Sequence, residues 1–375
     1  MIVRKALMGC LLLAGTVAFA AKPLVFRGDT LPENNEFTRL EWGVMSASKT
    51  MAEISGIACS RVTPGYLWVE SDNISNKIMA VNTQGNERHL TLKLNLAARR
   101  WDWEDLCGGV YEGKNYLFIG AIGDNEENGG EYYIHYFEEP EIPDTLGGKM
   151  TLNSNVAKSI NFQYPEGKKH NAEALMYDNR EQMLYVITKK YHQPCQVFSL
   201  PFRLDYGTEL QTMTYICDLG VKADLGEGTS PDHGFHLVTA ADISPDGKYI
   251  LVKNHNNTTV DRQEYGYSWT LLWTREKGES VADALTNRQP EVIGCYEEEW
   301  QGEAICWQDS TMFYSTSDDD GNPPIYKYVR NDVLGVDSPF AFNEGNKGAN
   351  LVFIDRTLYV RCKDGLYALD GRKVK

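Results

Sequence analysis

The chain has 375 residues, 42% of them hydrophobic, and 52 acidic against 37 basic side chains, giving a formal net charge of −15. That is enough apolar content for a large core, while the acidic balance excludes nucleic acid and anionic membrane surfaces as natural partners. Its length would allow two domains, so the organisation has to come from the pattern along the chain.

Residues 1–20 read as a secretory signal peptide, with Arg4 and Lys5 at the start, an apolar run from Ala6 to Phe19, and Ala18-Phe19-Ala20 before Ala21. The run is too short and too cleanly ended for a membrane span. Lipid attachment at Cys10 is not expected, because too little apolar sequence precedes it. The expectation is an exported protein, periplasmic or secreted, with no membrane span and a mature charge near −17. Residues 21–35 form a short leader segment, and residues 36–375 a single domain.

EFTRLEWGV, from Glu36 to Val44, is a strand without a local partner. After it, one phrase recurs six times, at EISGIA, DWEDLC, NAEALM, TAADIS, QGEAIC and GANLVF. Each copy is followed by a second run of strand formers: GYLWVESDN, NYLFIGAIGDN, QMLYVITKK, KYILVKNHNN, TMFYSTSDDD and TLYVRCKDG. These are aromatic and β-branched stretches that end in turn chemistry. Third strands follow at KIMAV, YYIHYF, CQVFSL, WTLLWT, PIYKYV and GLYAL, and outer strands at HLTLKL, SINFQY, TMTYIC and EVIGCY. Between them, Glu138 to Asn155, Asp218 to His236 and Glu276 to Gln289 read as loops, and no long helical stripe intervenes.

A period of roughly 45 to 70 residues with three or four strands per unit implies a β-propeller, because one such sheet cannot bury both faces alone. The expected fold is all-β: a six-bladed propeller, with seven blades the alternative. The ring is expected to close by pairing the Glu36–Val44 strand with the C-terminal blade, which would remove exposed sheet edges.

In such a ring the starts of innermost strands and the ends of second strands share one face, since adjacent strands run antiparallel. Polar residues gather there. Glutamate recurs in one repeat slot as Glu104, Glu173 and Glu303, where the other copies carry Ser55, Ala241 and Ala349. Converging carboxylates repel one another unless a cation intervenes. Three readings stand: polar bonds between blades; a Ca²⁺ site drawing on Asp105, Asp124, Asn125 and Asp242; or water activation by Glu104, Glu173 or Glu303. Lys189, Lys253, His255 and Arg361 are candidates to receive an anionic substrate group. Trp101, Trp103 and Trp300 are candidate ring-stacking residues or wedges between blades. Asp318-Asp319-Asp320-Gly321-Asn322 lacks the spacing of an EF-hand and reads as a hairpin turn.

Seven cysteines follow the leader, without metal-ligand spacing. Cys59, Cys107 and Cys306 lie inside strands and read as small buried hydrophobes. Cys195 and Cys217 could face each other across an antiparallel pair, which an oxidising compartment would allow to bridge. No GxSxG, P-loop, dinucleotide fingerprint or HExxH occurs.

The phrase DWEDLCGGVYEGKNYLFIGAIGDN (Asp102 to Asn125), together with NAEALMYDNREQMLYVITKK and TAADISPDGKYILVK, resembles exported bacterial propeller proteins that carry a DWED…IGDN motif. That resemblance implies a propeller without an assigned activity. NAEALMYDNREQMLYVITK is more distantly similar to a segment of the β-propeller phytases, which implies Glu173 and Asp178 at acidic, calcium-linked positions and hydrolysis of phosphoesters. Their early double-aspartate motif has no counterpart here. LYALDGRKVK is similar to the end of export tails in Bacteroidetes-type secreted proteins. The expectation is therefore a monomeric metal-dependent hydrolase of phosphoester or related ester substrates, binding a small anionic or carbohydrate-type ligand. The competing expectation is a non-catalytic scaffold that binds a ligand or another envelope protein.

Overall fold

Five copies of the repeated phrase fold into antiparallel meanders whose first strands stand side by side around a common axis. A computed structural model describes residues 24–46, 53–71, 76–97, 102–190, 193–222, 237–260, 263–318, 322–334, 350–354, 357–362 and 365–368. Blade 1 runs outward through Gly56–Cys59, Tyr66–Glu70, Lys77–Asn82 and Arg88–Asn95; blade 2 through Trp103–Tyr111, Lys114–Ala121, Tyr132–Glu138 and Lys158–Gln163. Blade 3 comprises Ala172–Asp178, Met183–Thr188, Cys195–Pro201 and Thr214–Leu219. Blade 4 comprises Leu237–Ile243, Tyr249–Val260, Gln263–Thr274 and Glu291–Glu298. Blade 5 takes Gly302–Asp309, Met312–Ser317 and Pro324–Arg330 from late in the chain, and Phe37–Val44 from its start as the outer strand.

The propeller has five blades, which corrects the expectation of six or seven. Each inner strand packs on the next, and Gly302–Asp309 packs directly on Gly56–Cys59, so the ring is complete after blade 5. The sixth copy does form strands, Asn350–Ile354, Thr357–Cys362 and Gly365–Ala368, but among the described residues they pair only with one another. The ring does close through the N-terminal strand, on blade 5 rather than on a sixth blade. Blade 5 has no fourth strand of its own among the described residues, and Phe37–Val44 takes that position, from Phe37 opposite Arg330 to Val44 opposite Pro324. A repeat in sequence reports which segments make strands, while ring membership depends on which edges remain open.

The apolar alternation along these strands builds cores between neighbouring blades. Blades 3 and 4 bury Met176, Ile187, Val197, Val252, Leu271 and Trp273. Blades 2 and 3 share an aromatic layer in which Phe118 stacks on Tyr177 with Phe202 edge-on at 4.8 Å. The 276–289 stretch, read as loop, contains one short helix, Val281–Asn287. Ser280 caps it by accepting from the Asp283 amide, and its Val281, Ala284 and Leu285 are buried, so a serine followed by an acidic residue was the available signal.

Candidate functional site

Four of the five inner strands carry one extra residue at their start. The pairing register slips between Trp103 and Asp105, Ala172 and Ala174, Val238 and Ala240, and Gly302 and Ala304. The residues left over are Glu104, Glu173, Thr239 and Glu303. A bulge of this kind re-aims a side chain that the pleat would otherwise direct elsewhere. Blade 4's slot is thus held by Thr239, two residues before the Ala241 chosen by aligning phrases, and its hydroxyl donates to the Gly302 carbonyl at 2.7 Å.

The three glutamates are almost fully buried and meet a lysine. Lys189, just beyond the second strand of blade 3, donates to Glu173 Oε2 and lies 3.8 Å from Glu303 Oε1. Burial opposes its charge, but Glu173 and Glu303, with Glu104 beyond them, outweigh that and raise its pKa. His255 holds the equivalent place on blade 4, with Nδ1 3.3 Å from Glu303 Oε1. Burial, then Lys189 and Lys253, push its pKa well down, so the imidazole is neutral and its contact with Glu303 is dipolar. Burial, then Glu173 and Asp102, push the Glu104 carboxyl well above the usual range. The shift favours the protonated form, in which the carboxyl can donate. A Cβ at position 123 would collide with the Glu104 and Asp102 carboxyls, which explains the glycine of the IGDN phrase.

The remaining predicted residues lie elsewhere in the network. Asp124 accepts from the Asn128 and Gly129 amides and from the Tyr132 hydroxyl at 2.6 Å, which folds its own turn. Asn125 accepts from Asn171 Nδ2 at 3.0 Å, and Asn171 in turn accepts from the Asp124 amide at 2.7 Å. Asp105 is fully buried and accepts from the amides of Leu106 and Leu175, both at 2.8 Å, pinning blade 2 to blade 3. Asp242 does the same between blades 4 and 5, accepting from Ile243 at 2.9 Å and Trp307 at 2.7 Å. Lys253 is buried against Glu299 at 2.6 Å and Ser268 at 3.1 Å. Arg361 pairs through its backbone with Asn350 in the separate C-terminal sheet, and its side chain is outside the described residues. So are Trp101, Asp319 and Asp320. Trp103 is buried and Trp300 more than one-third exposed. Cys195 sits opposite Leu219 and Cys217 opposite Val197, and both are free thiols.

Three participants escaped sequence reading. Glu70 is buried at the end of a blade 1 strand and adds to the pressure on Glu104; its signal was a carboxylate ending an apolar run. Glu299, the partner of Lys253, was hidden inside a run of glutamates. Glu127 pairs with Lys190.

Calcium needs six to eight oxygen donors. Among the described residues no group of three or more His, Cys, Asp or Glu is arranged to hold a metal ion. Asp105 and Asp242 are committed to backbone amides, and the position between Glu173 and Glu303 is taken by the Lys189 ammonium. The arrangement does not fit a calcium site.

No protein-family model and no curated protein sequence matches the chain. Solved propeller structures do resemble it at low identity. One is the Dos1 propeller, 9% identical with a TM-score of 0.32, over 73% of this chain and 67% of that one. Another is Mala s 1, the major allergen of Malassezia sympodialis, 10% identical with a TM-score of 0.41, over 79% and 96%. A third is the periplasmic gluconolactonase PpgL of Pseudomonas aeruginosa, 12% identical with a TM-score of 0.36, over 83% and 81%.

Proposed function

We propose that the face carrying Glu104, Glu173, Glu303, Lys189 and His255 binds a small carbohydrate-type ligand through its hydroxyl or amino groups. The observation that carries this reading is the triple bulge: three inner strands each spend an extra residue on a glutamate, of which Glu173 and Glu303 pair with Lys189 and Glu104 acts on it electrostatically. Buried polar clusters with shifted ionisation are costly and gather where function needs them. Carboxylates accept from diols and ammonium groups, a protonated Glu104 donates, and neutral His255 can do either. An anionic substrate fits less well, because Lys189 and Lys253 are each already paired with a carboxylate. The leader pattern of residues 1–20 supports a protein that works outside the cytoplasm.

Calorimetric titration with neutral sugars, amino sugars and their phosphate esters tests this. Neutral or amino sugars should bind, and Glu303→Gln should weaken them at least about tenfold, the loss of one charged hydrogen bond. Preference for the phosphate esters would overturn the reading.

The Glu104 carboxyl favours a second reading, metal-free hydrolysis of an uncharged ester or glycoside. Glu104 would donate the proton to the leaving oxygen while Glu173, ion-paired to Lys189, directs water. Turnover should then fall as pH rises through the elevated Glu104 pKa and vanish in Glu104→Gln. A rate that ignores that substitution removes Glu104 from the chemistry.

A further inference from the structure

The seam where blade 5 meets blade 1 holds two cysteines in contact. Cys59 ends the inner strand of blade 1, Cys306 lies mid-strand on the inner strand of blade 5, and their sulfurs are 3.4 Å apart. They are 247 residues apart in sequence, so the contact exists only because the ring closes there. The pair is asymmetric. Cys306 is fully buried among Ile57, Ala304 and Tyr314, whereas Cys59 is partly exposed. Lys327, held over the Trp42 and Tyr314 rings, interacts electrostatically with Cys59 and so places a positive charge near the reachable sulfur.

We propose that Cys59 and Cys306 are a modification site: a dithiol that oxidises to a disulfide and locks the propeller ring at its closing seam. The oxidant is a low-molecular-weight or protein disulfide. Cys59, as thiolate, attacks one sulfur of that disulfide and expels the other as a thiol after protonation. Cys306 then gives up its proton, attacks the Cys59 sulfur of the mixed disulfide and expels the second thiol. The two protein sulfurs lose two electrons, and the oxidant's sulfurs gain them together with two protons. Exposure assigns the order, since an external disulfide reaches Cys59 and not Cys306. An exported setting, which the leader pattern suggests, is where such a bridge persists. The loop it closes spans most of the ring, and cross-linking distant positions constrains the unfolded chain most. The inference is independent of any ligand at the glutamate face.

The test is a non-reducing peptide map of the full chain after treatment with oxidised glutathione, with iodoacetamide blocking free thiols. The expected product is a single cross-linked peptide pair containing Cys59 and Cys306, with Cys107, Cys195, Cys217, Cys295 and Cys362 alkylated after unfolding. The melting temperature should rise by several degrees on oxidation, return on reduction, and stay constant in Cys59→Ser. Alkylation of both Cys59 and Cys306 after oxidant treatment, or linkage of either to another cysteine, would overturn the proposal. Cys59→Ser leaves the buried partner in place and is the mild substitution; the peptide map on the natural sequence stands even if that variant folds poorly.

Discussion

Glu104 and Asp105 are adjacent in sequence, both acidic and both buried, yet they belong to different sets of contacts. Asp105 turns to backbone amides of its own and the next blade, as Asp242 does two blades on. Glu104, displaced by the bulge, turns to a face where side chains carry the charge. The aspartates hold the blades in register and would do so whatever the protein bound. The glutamates compensate a lysine that no strand requires. A carboxylate's partners, and not its residue type or its burial, separate scaffold from site.

The comparison breaks most readily at Asp105. Asp105→Leu removes the acceptor for three buried amides, those of Leu106, Leu175 and Ala241, and should cost about 3–5 kcal/mol in urea unfolding, with ligand binding of the folded fraction unchanged. A cost below about 1 kcal/mol would mean the pin is not structural. Next comes pH. Burial pushes the Asp242 carboxyl up to about 7, well above its unfolded value. The folded state therefore holds a proton the unfolded state has released between roughly pH 4 and 7. The stability associated with that proton is complete below pH 4 and is lost as pH rises to 7, by up to about 4 kcal/mol. Asp242→Asn should flatten this part of the pH profile, and an unchanged slope would assign it to other groups. On the site side, Glu173→Gln removes the carboxylate nearest the Lys189 ammonium, and ligand affinity should fall at least tenfold, about 1.4 kcal/mol, by calorimetry. Unaltered affinity would move the glutamates into the scaffold class. Smallest of all is calcium: added Ca²⁺ or chelator should leave the melting temperature within about a degree, because among the described residues no acidic group is arranged to hold the ion.

The strands of the five blades were legible, since alternating apolar runs with turn punctuation carry their own physical signal. Three of the glutamate positions were legible as well, because polarity persisted where the repeat allowed other residues. The blade number was not. It depends on the closure of Gly302–Asp309 against Gly56–Cys59, a contact between distant segments that leaves no local trace. Thr239 was misplaced for a related reason: a bulge adds a residue in space while leaving the phrase TAADIS unbroken in sequence. The division between Asp105 and Glu104 was equally invisible, because both look like acids at a strand start.

The strand Phe37–Val44 leaves the ribosome long before the strand it pairs with, Pro324–Arg330. Until blade 5's own three strands exist, the early strand has no place in the ring. Contacts of such long sequence separation make folding slow, and unpaired edges in waiting are where chains associate wrongly. A variant that moves this strand to follow Arg330 directly would fold by local pairing instead, and should reach the native ring faster than the natural order does.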